Sequence, residues 1–465
     1  MQKHHLIAAA IATAIASGYA AAQPALSSAA APTVSLVVAG SSAAQPGISA
    51  ALTTDICGTA ANTLSVRSGA SSSANKNFYA YSCNTVHDIP AAGGGTDIPS
   101  GTLITVWYRT EGGSVVGALP IAAQHNILRL DLTNATCTAV GAVGTCTVTG
   151  VTATNGPADS WVGAVTEDAV QLGVTDVEPS QLVGEDSPQK SPYGNAPASV
   201  AYKSSAFGTA TATAMGNLST VALYQQVFGL AVNTSGESFS SVDLDRSTAA
   251  NILAGNITDW SKVLDHTTGQ PVSSVSAPIT VVNREFGSGT RTGANIYFFN
   301  YCQGGAGTSY ISSATSLNFS TSDDVSNTNT TAGAITYTAI DQIQNGAGPT
   351  TYPNLVLAKI DGNSPSNLNA ALGTYDYWFE ATLVPNTTAI GTGNQAATLV
   401  NYLETSVPQL ANAAHSPAVN VIPGYAGNVA SYPTPANNGQ TGTSEVYTSQ
   451  YTRGGNSCTA PQEKY

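Results

Sequence analysis

Apolar residues along this chain fall into short runs, and most runs end on glycine and serine instead of on charge. Thr33-Val34-Ser35-Leu36-Val37-Val38 reads as a buried strand that stops at Ala39-Gly40-Ser41-Ser42. From Ala43 to Ile56 the residues suit a helix, with Pro46 in the first turn where its missing N–H costs nothing. The same grammar returns at Leu103-Ile104-Thr105-Val106-Trp107-Tyr108, followed by Glu111-Gly112-Gly113-Ser114 and an apolar stretch from Val115 to Ala123. It returns once more at Ile279-Thr280-Val281-Val282, followed by Arg284-Glu285-Phe286-Gly287-Ser288-Gly289-Thr290 and a helix running toward Cys302. Three such strand-to-helix junctions predict an α/β architecture whose parallel strands point their carboxyl ends at one cleft.

Elsewhere the pattern is coarser. Leu223 to Val232 reads as a strand crossing into a second lobe, and Tyr375 to Val384 as the crossing back. Ser247 is placed to cap a short helix through Leu253, with Trp260 expected in the core. Ala397, Leu399, Val400, Leu403 and Leu410 fit a helix within residues 394–414. The Thr/Ala/Gly-rich stretch near residues 121–160 predicts a β-hairpin insertion, and the Gly/Asn/Pro/Tyr-rich tail beyond Pro417 predicts loop. These boundaries predict one lobe from residues 23–222, a second from 223–382, and a return to the first over 383–465.

The N-terminus changes where the protein is expected to work. Met1-Gln2-Lys3-His4-His5, the apolar run from Leu6 to Ala16 and the small residues Ala20-Ala21-Ala22 predict a secretory signal peptide, residues 1–22, cleaved after Ala22. No cysteine stands at the cleavage site and no later stretch nears about 18 unbroken apolar residues, so no membrane anchor is expected. The expected location is the periplasm or the medium. Six cysteines in an oxidising compartment then imply three disulfides. Proximity favours Cys57 with Cys83 and Cys137 with Cys146, leaving Cys302 for Cys458; the sequence leaves other pairings open.

Composition narrows the partners. A chain of 465 residues is long enough for two or three domains at roughly 100 to 200 residues each. The formal charge of −13 argues against nucleic acid as a partner. It does not argue against an anion held by local donors, because distant charges are screened over about 8 Å in physiological salt. The histidines outside the leader, His87, His125, His266 and His415, show no paired metal spacing, and no Gly-x-Ser-x-Gly marks a nucleophile. Neither a metal nor a cofactor is expected.

A helix that starts at a Gly/Ser turn aims free N–H groups and the positive end of its dipole into one small volume, which favours an anion. Hydroxyls at Ser42, Ser114, Ser288 and Thr290 would add short donors, and Arg284 a bidentate fork. Arg284 with Gly287-Ser288-Gly289-Thr290 is the most specific element, a planar cation four residues ahead of a helix-opening serine.

These motifs, Ala39-Gly40-Ser41-Ser42-Ala43-Ala44-Gln45-Pro46, Gly113-Ser114, Gly173-Val174-Thr175-Asp176 and the run from Arg284 to Thr290, resemble in kind and order the phosphate-binding loops of the PstS-like periplasmic phosphate-binding proteins. Further echoes at Leu244-x-Arg246, Ile257-Thr258-Asp259-Trp260 and Ala332-Gly333-Ala334-Ile335-Thr336-Tyr337 spread the similarity over residues 34–384. The resemblance implies a two-lobed type II periplasmic-binding-protein fold, with mixed sheets flanked by helices and a disulfide-stapled β insertion. It implies a monomer that binds inorganic phosphate without catalysis and serves an ABC transporter. Ser42 and the Ala43 amide would hold phosphate from the first helix, Ser114 from the second, and Arg284, Ser288, Gly289 and Thr290 from the opposite lobe. Asp176 would accept a hydrogen bond from a protonated phosphate oxygen and repel sulfate. Two other readings are an exported phosphatase using the same donors, and a surface or matrix protein that kept the fold without the ligand.

Overall fold

The computed structural model describes residues 23–68, 78–110, 113–140, 145–148, 152–153, 161–182, 207–236, 239, 242–284, 287–302, 310–311, 317–318, 320–343, 352–410, 421–422 and 451–463. The leader at residues 1–22, Glu111 and Gly112 of the second junction, and Glu285 and Phe286 of the third lie outside them.

After a helical turn at Leu26–Ala29, the chain forms β1 (Val34–Gly40) and α1 (Gln45–Ala51), whose helix continues over Leu52–Ile56 in a wider π-type turn. Next come β2 (Leu64–Ser68), β3 (Phe78–Asn84), β4 (Leu103–Arg109) and α2 (Ser114–Ala123). Two short strands, β5 (Cys137–Val140) and β6 (Thr145–Val148), precede β7 (Leu172–Thr175). The long β8 (Val221–Asn233) leads to α3 (Arg246–Leu253), β9 (Thr280–Val281), α4 (Gly289–Phe299) and α5 (Thr321–Thr330). Then follow β10 (Ala334–Ala339), β11 (Leu355–Leu357), β12 (Trp378–Pro385) and α6 (Gln395–Leu410), among shorter elements.

These strands form one mixed sheet, in the order β9-β10-β8-β12-β7-β1-β4-β3-β2-β6-β5, with β11 beside β8. At its centre β1 lies parallel to both β4 and β7. A strand buried on both faces needs apolar residues at every position, and this is why 34–39 and 103–108 are near-continuous apolar runs. Val34, Leu36 and Val38 pack on one face with Ile48 of α1 and Leu399 and Leu403 of α6, while Val37 and Trp107 pack on the other with Val66 and Phe78.

β8 divides its pairing between two neighbours. Residues from Val221 to Val227 pair with β12, and those from Phe228 to Val232 pair with β10, so one strand bridges the two. Strands are present at both segments where the sequence placed a crossing, as β8 and β12. Trp260 is fully buried, and its indole N–H donates to the Gly333 carbonyl at 2.8 Å.

Helix α2 sits directly on the backbone of the sheet. A Cβ built on Gly173 would fall 1.7 Å from the Gly117 carbonyl oxygen, and one on Gly117 would fall 2.5 Å from the Val174 carbonyl oxygen. Only two glycines allow that approach.

Several details differ from the sequence pattern. The segment carrying Cys137 and Cys146 joins the main sheet, with β6 parallel to β2, because two short strands alone would leave their backbone unpaired. Asp245, not Ser247, stands at the N-cap of α3. The third junction strand is split. Thr280–Val281 pairs with β10, and Asn283–Arg284 pairs with Leu317–Asn318. The tail is not all loop, since Tyr451–Thr452 and Gln462–Glu463 pair. Cys57–Cys83 and Cys302–Cys458 are disulfides with Cα separations of 5.6 and 5.7 Å. Cys146 is also disulfide-bonded, and the side chain of Cys137 lies outside the described residues.

Candidate functional site

Three strands, β1, β4 and β7, deliver residues to one wall of a buried polar cluster. After β1, Ser41 is buried; its Oγ accepts from the Ala43 and Ala44 amides at 3.1 and 2.9 Å and donates to Asp176 Oδ1. The Ala43 amide is thus turned onto Ser41. Tyr108 donates to the Ser41 carbonyl at 2.7 Å, and β8 holds two carbonyls just beyond, Gln226 on Ala43 at 2.7 Å and Tyr224 on Ala44 at 3.1 Å. After β4, Gly113 turns the chain at φ 67° and α2 starts at Ser114, whose buried Oγ accepts from the Asp176 amide at 2.9 Å.

The opposite wall is the start of α4. Ser288 is its N-cap, accepting from the Arg291 amide at 3.3 Å. Thr290 donates to Asp176 Oδ2 at 3.4 Å, reaching across to the first wall. Arg284 is 1% exposed; its Nη1 donates to Thr321 Oγ1 at 2.7 Å and its Nε to the Asn318 carbonyl at 3.3 Å. Arg291, as deeply buried, donates to the Arg284 carbonyl at 2.6 Å and so supports the loop from behind. Asn318 also donates to Asp324 Oδ1 at 3.2 Å, which links that carboxyl to the loop through a neutral amide.

The two walls touch. The Val115 amide donates to the Gly287 carbonyl at 3.0 Å, and Ser42 Oγ lies 3.0 Å from Thr321 Oγ1. Gly289 fits between Ser114 and Asp176, where an added Cβ would stand 2.1 Å from Ser114 Oγ. All eight residues singled out in the sequence therefore gather in one region: Ser42, Ala43, Ser114 and Asp176 on one side, Arg284, Ser288, Gly289 and Thr290 on the other.

Two participants escaped the sequence reading. Ser41, one position before the expected Ser42, makes the bond to Asp176. Thr321 is the first residue of α5 and takes bonds from both walls. Its only local signal is the capping box of Ser320 and Asp323, which any helix start could carry.

Burial dominates the electrostatics. It pushes the Asp176 carboxyl above its ordinary value, against the opposing pull of the Ser41 hydrogen bond, the Arg284 charge, Ser114 and Thr290. Burial likewise pushes Asp324 up to about 7, with Arg284, Thr336 and Asn318 pulling it down. Away from this cluster, Asp245, His266 and Asp361 bring their ligand-type atoms within 4.8 Å of one another on the surface, a grouping that sequence spacing did not show.

The profile of the PBP superfamily domain matches residues 195–403. The matched span holds Arg284, Ser288, Gly289 and Thr290, while Ser42, Ser114 and Asp176 precede it. With its mixed sheet flanked by helices, the fold is of the type II periplasmic-binding-protein kind, as the sequence resemblance implied. Among solved structures, a Clostridium perfringens protein assigned as a phosphate ABC transporter substrate-binding protein, with bound phosphate, aligns at a TM-score of 0.41 and 12% identity over 82% of this chain and 98% of its own. An ABC-type phosphate transport receptor of Vibrio cholerae aligns at 0.33 and 18% over 44% and 76% respectively. No curated protein matches the chain. No helix among the described residues is long and apolar enough to cross a membrane.

Proposed function

We propose that this chain is an exported solute-binding protein that closes its cleft over inorganic phosphate, as HPO₄²⁻ or H₂PO₄⁻, for uptake or scavenging. One observation carries the reading: a buried carboxylate, Asp176, and a buried guanidinium, Arg284, serve the same closed cleft from opposite walls. A guanidinium with serine and threonine hydroxyls favours an anion. An ionised carboxylate beside it offers only acceptors, so the anion must bring its own proton. Phosphate carries one at neutral pH, and sulfate does not.

In this reading residues 23–222 and 383–465 form one lobe and 223–382 the other, with β8 and β12 as hinge strands. The ligand contacts are Ser42, the Ala43 amide, Ser114, Asp176, Arg284, Ser288, Gly289 and Thr290, joined by Ser41 and Thr321. For Ala43 this requires the amide to leave Ser41 Oγ as the ligand enters. No bond is made or broken, so the protein acts as a binder, monomeric, handing its ligand to an ABC transporter in the periplasm.

Titration calorimetry with phosphate and sulfate tests this. Phosphate should bind and sulfate should bind at least ~100-fold more weakly, the level at which buried polar groups reject a ligand that leaves them unpaired. Asp176→Asn should narrow that gap. Equal affinities would remove the role given to Asp176; no heat from a folded sample would mean that the fold is kept without this ligand.

A further inference from the structure

Residues 451–463 lie across the two strands that join the halves of the molecule, at the register pair Gln225–Glu380. Gln225 Nε2 donates to the Tyr451 carbonyl. The buried Glu380 carboxylate accepts from Thr452 Oγ1, from the Arg453 amide at 3.0 Å and from the Gly455 amide at 2.6 Å. Arg453 then runs along β12. Its Nε and Nη2 donate to the Trp378 and Asp376 carbonyls at 3.0 and 2.9 Å, and its guanidinium lies 4.9 Å from the Trp378 and Phe379 ring centres.

The next residues divide between the walls. Ser457 Oγ accepts from the Glu178 amide at 2.9 Å, two residues past Asp176 on the first wall. Cys458 is disulfide-bonded to Cys302, just beyond the end of α4, the helix whose start carries Ser288 to Thr290 on the second wall. Adjacent residues of one segment therefore hold opposite sides of the cleft, one by a hydrogen bond and one covalently. Separating the walls through this link requires breaking the Ser457 bond, since the Cys458 side is covalent.

We propose that residues 451–463 form a covalent strap over the hinge strands that limits opening of the cleft and slows release of what it holds. The strap's effect on release rests on the phosphate-binding reading; its effect on opening rests only on the two-lobe hinge part of it. The disulfide links positions 156 residues apart, so it fixes the segment on α4 whatever the chain between them does. Thr452, Arg453 and Ser457 are buried, as expected of a segment that packs permanently rather than one that swings in solvent.

The test uses the full mature chain and two variants, the double Cys302→Ser/Cys458→Ser and the single Ser457→Ala, with phosphate as probe. Stopped-flow release and small-angle scattering of the phosphate-free protein are the readouts. The double variant should release phosphate about tenfold faster, a change carried by the dissociation rate, and show a larger radius of gyration. Ser457→Ala should move both in the same direction by a smaller factor. A folded double variant with unchanged release and unchanged scattering would overturn the strap. Should the double variant fail to fold, unchanged release and scattering in Ser457→Ala would overturn it instead. Should wild type show no phosphate binding, the ligand reading falls, while the scattering comparison still decides whether the strap restrains opening.

Discussion

One wall of the buried cluster presents Ser41, Ser114 and Asp176 at the ends of parallel, deeply buried strands; the other presents Arg284 at a two-residue strand and Ser288 to Thr290 at a helix start. The first wall is hydroxyl and carboxylate, anchored in the centre of the sheet. The second is cationic, anchored by a buried polar network through Asn318, Asp324 and Tyr337. Under the proposed function this division separates two tasks. Attraction of an anion falls to the second wall, and the check for a proton on that anion falls to the first.

The sharpest way to break the comparison is Arg284→Ala. Truncating one partner of a buried, charge-assisted contact costs about 2–5 kcal/mol, so phosphate affinity should fall by at least ~30-fold in calorimetry. An unchanged affinity would move the anion away from this wall. Gly289→Ala comes next, because its Cβ would also meet Asp176 Cβ at 2.9 Å. It should hold the walls apart and lower affinity by about tenfold, with scattering that shows no compaction on adding phosphate. Ser41→Ala removes the acceptor for two amides and the donor to Asp176, and should cost about 1 kcal/mol, near fivefold in affinity.

The smallest effect concerns pH and sharpens the description of the second wall. Folded Asp324 keeps its proton up to about 7, while the ordinary value is 3.8. The folded state therefore binds more protons than the unfolded one between these limits, and stability should fall as pH rises through that window. Asp341, pushed by burial up to about 7 as well, should contribute in the same direction. Asp324→Asn should flatten the dependence of the urea midpoint on pH and leave the part due to Asp341. A slope that is unchanged would mean that Asp324 titrates near its ordinary value.

Legibility in the sequence followed the same division. The first wall could be read because buried parallel strands require unbroken apolar runs, and those runs end where the junctions begin. The order of the eight site residues was likewise visible. The choice between Ser41 and Ser42 was not, because it depends on the turn after Gly40, which has φ 129°. Helix α5 was invisible to hydrophobic pattern, since Val325 is the lone apolar residue in Thr321–Thr330; it forms through its capping box and its place against β10. The strap read as loop because its composition is polar. Its order comes from Glu380, which lies far away in the chain and carries no local mark of that role.

Helix α2 rests on β7 with glycine against glycine, so no side chain spaces Ser114 from Asp176. Their separation is gauged by main-chain thickness, a quantity fixed by covalent geometry and the same in every protein. Core residues on either side can drift in size without rescaling this part of the site. A single methyl at Gly117 or Gly173, by contrast, would act as a shim and shift one member of the pair against the other.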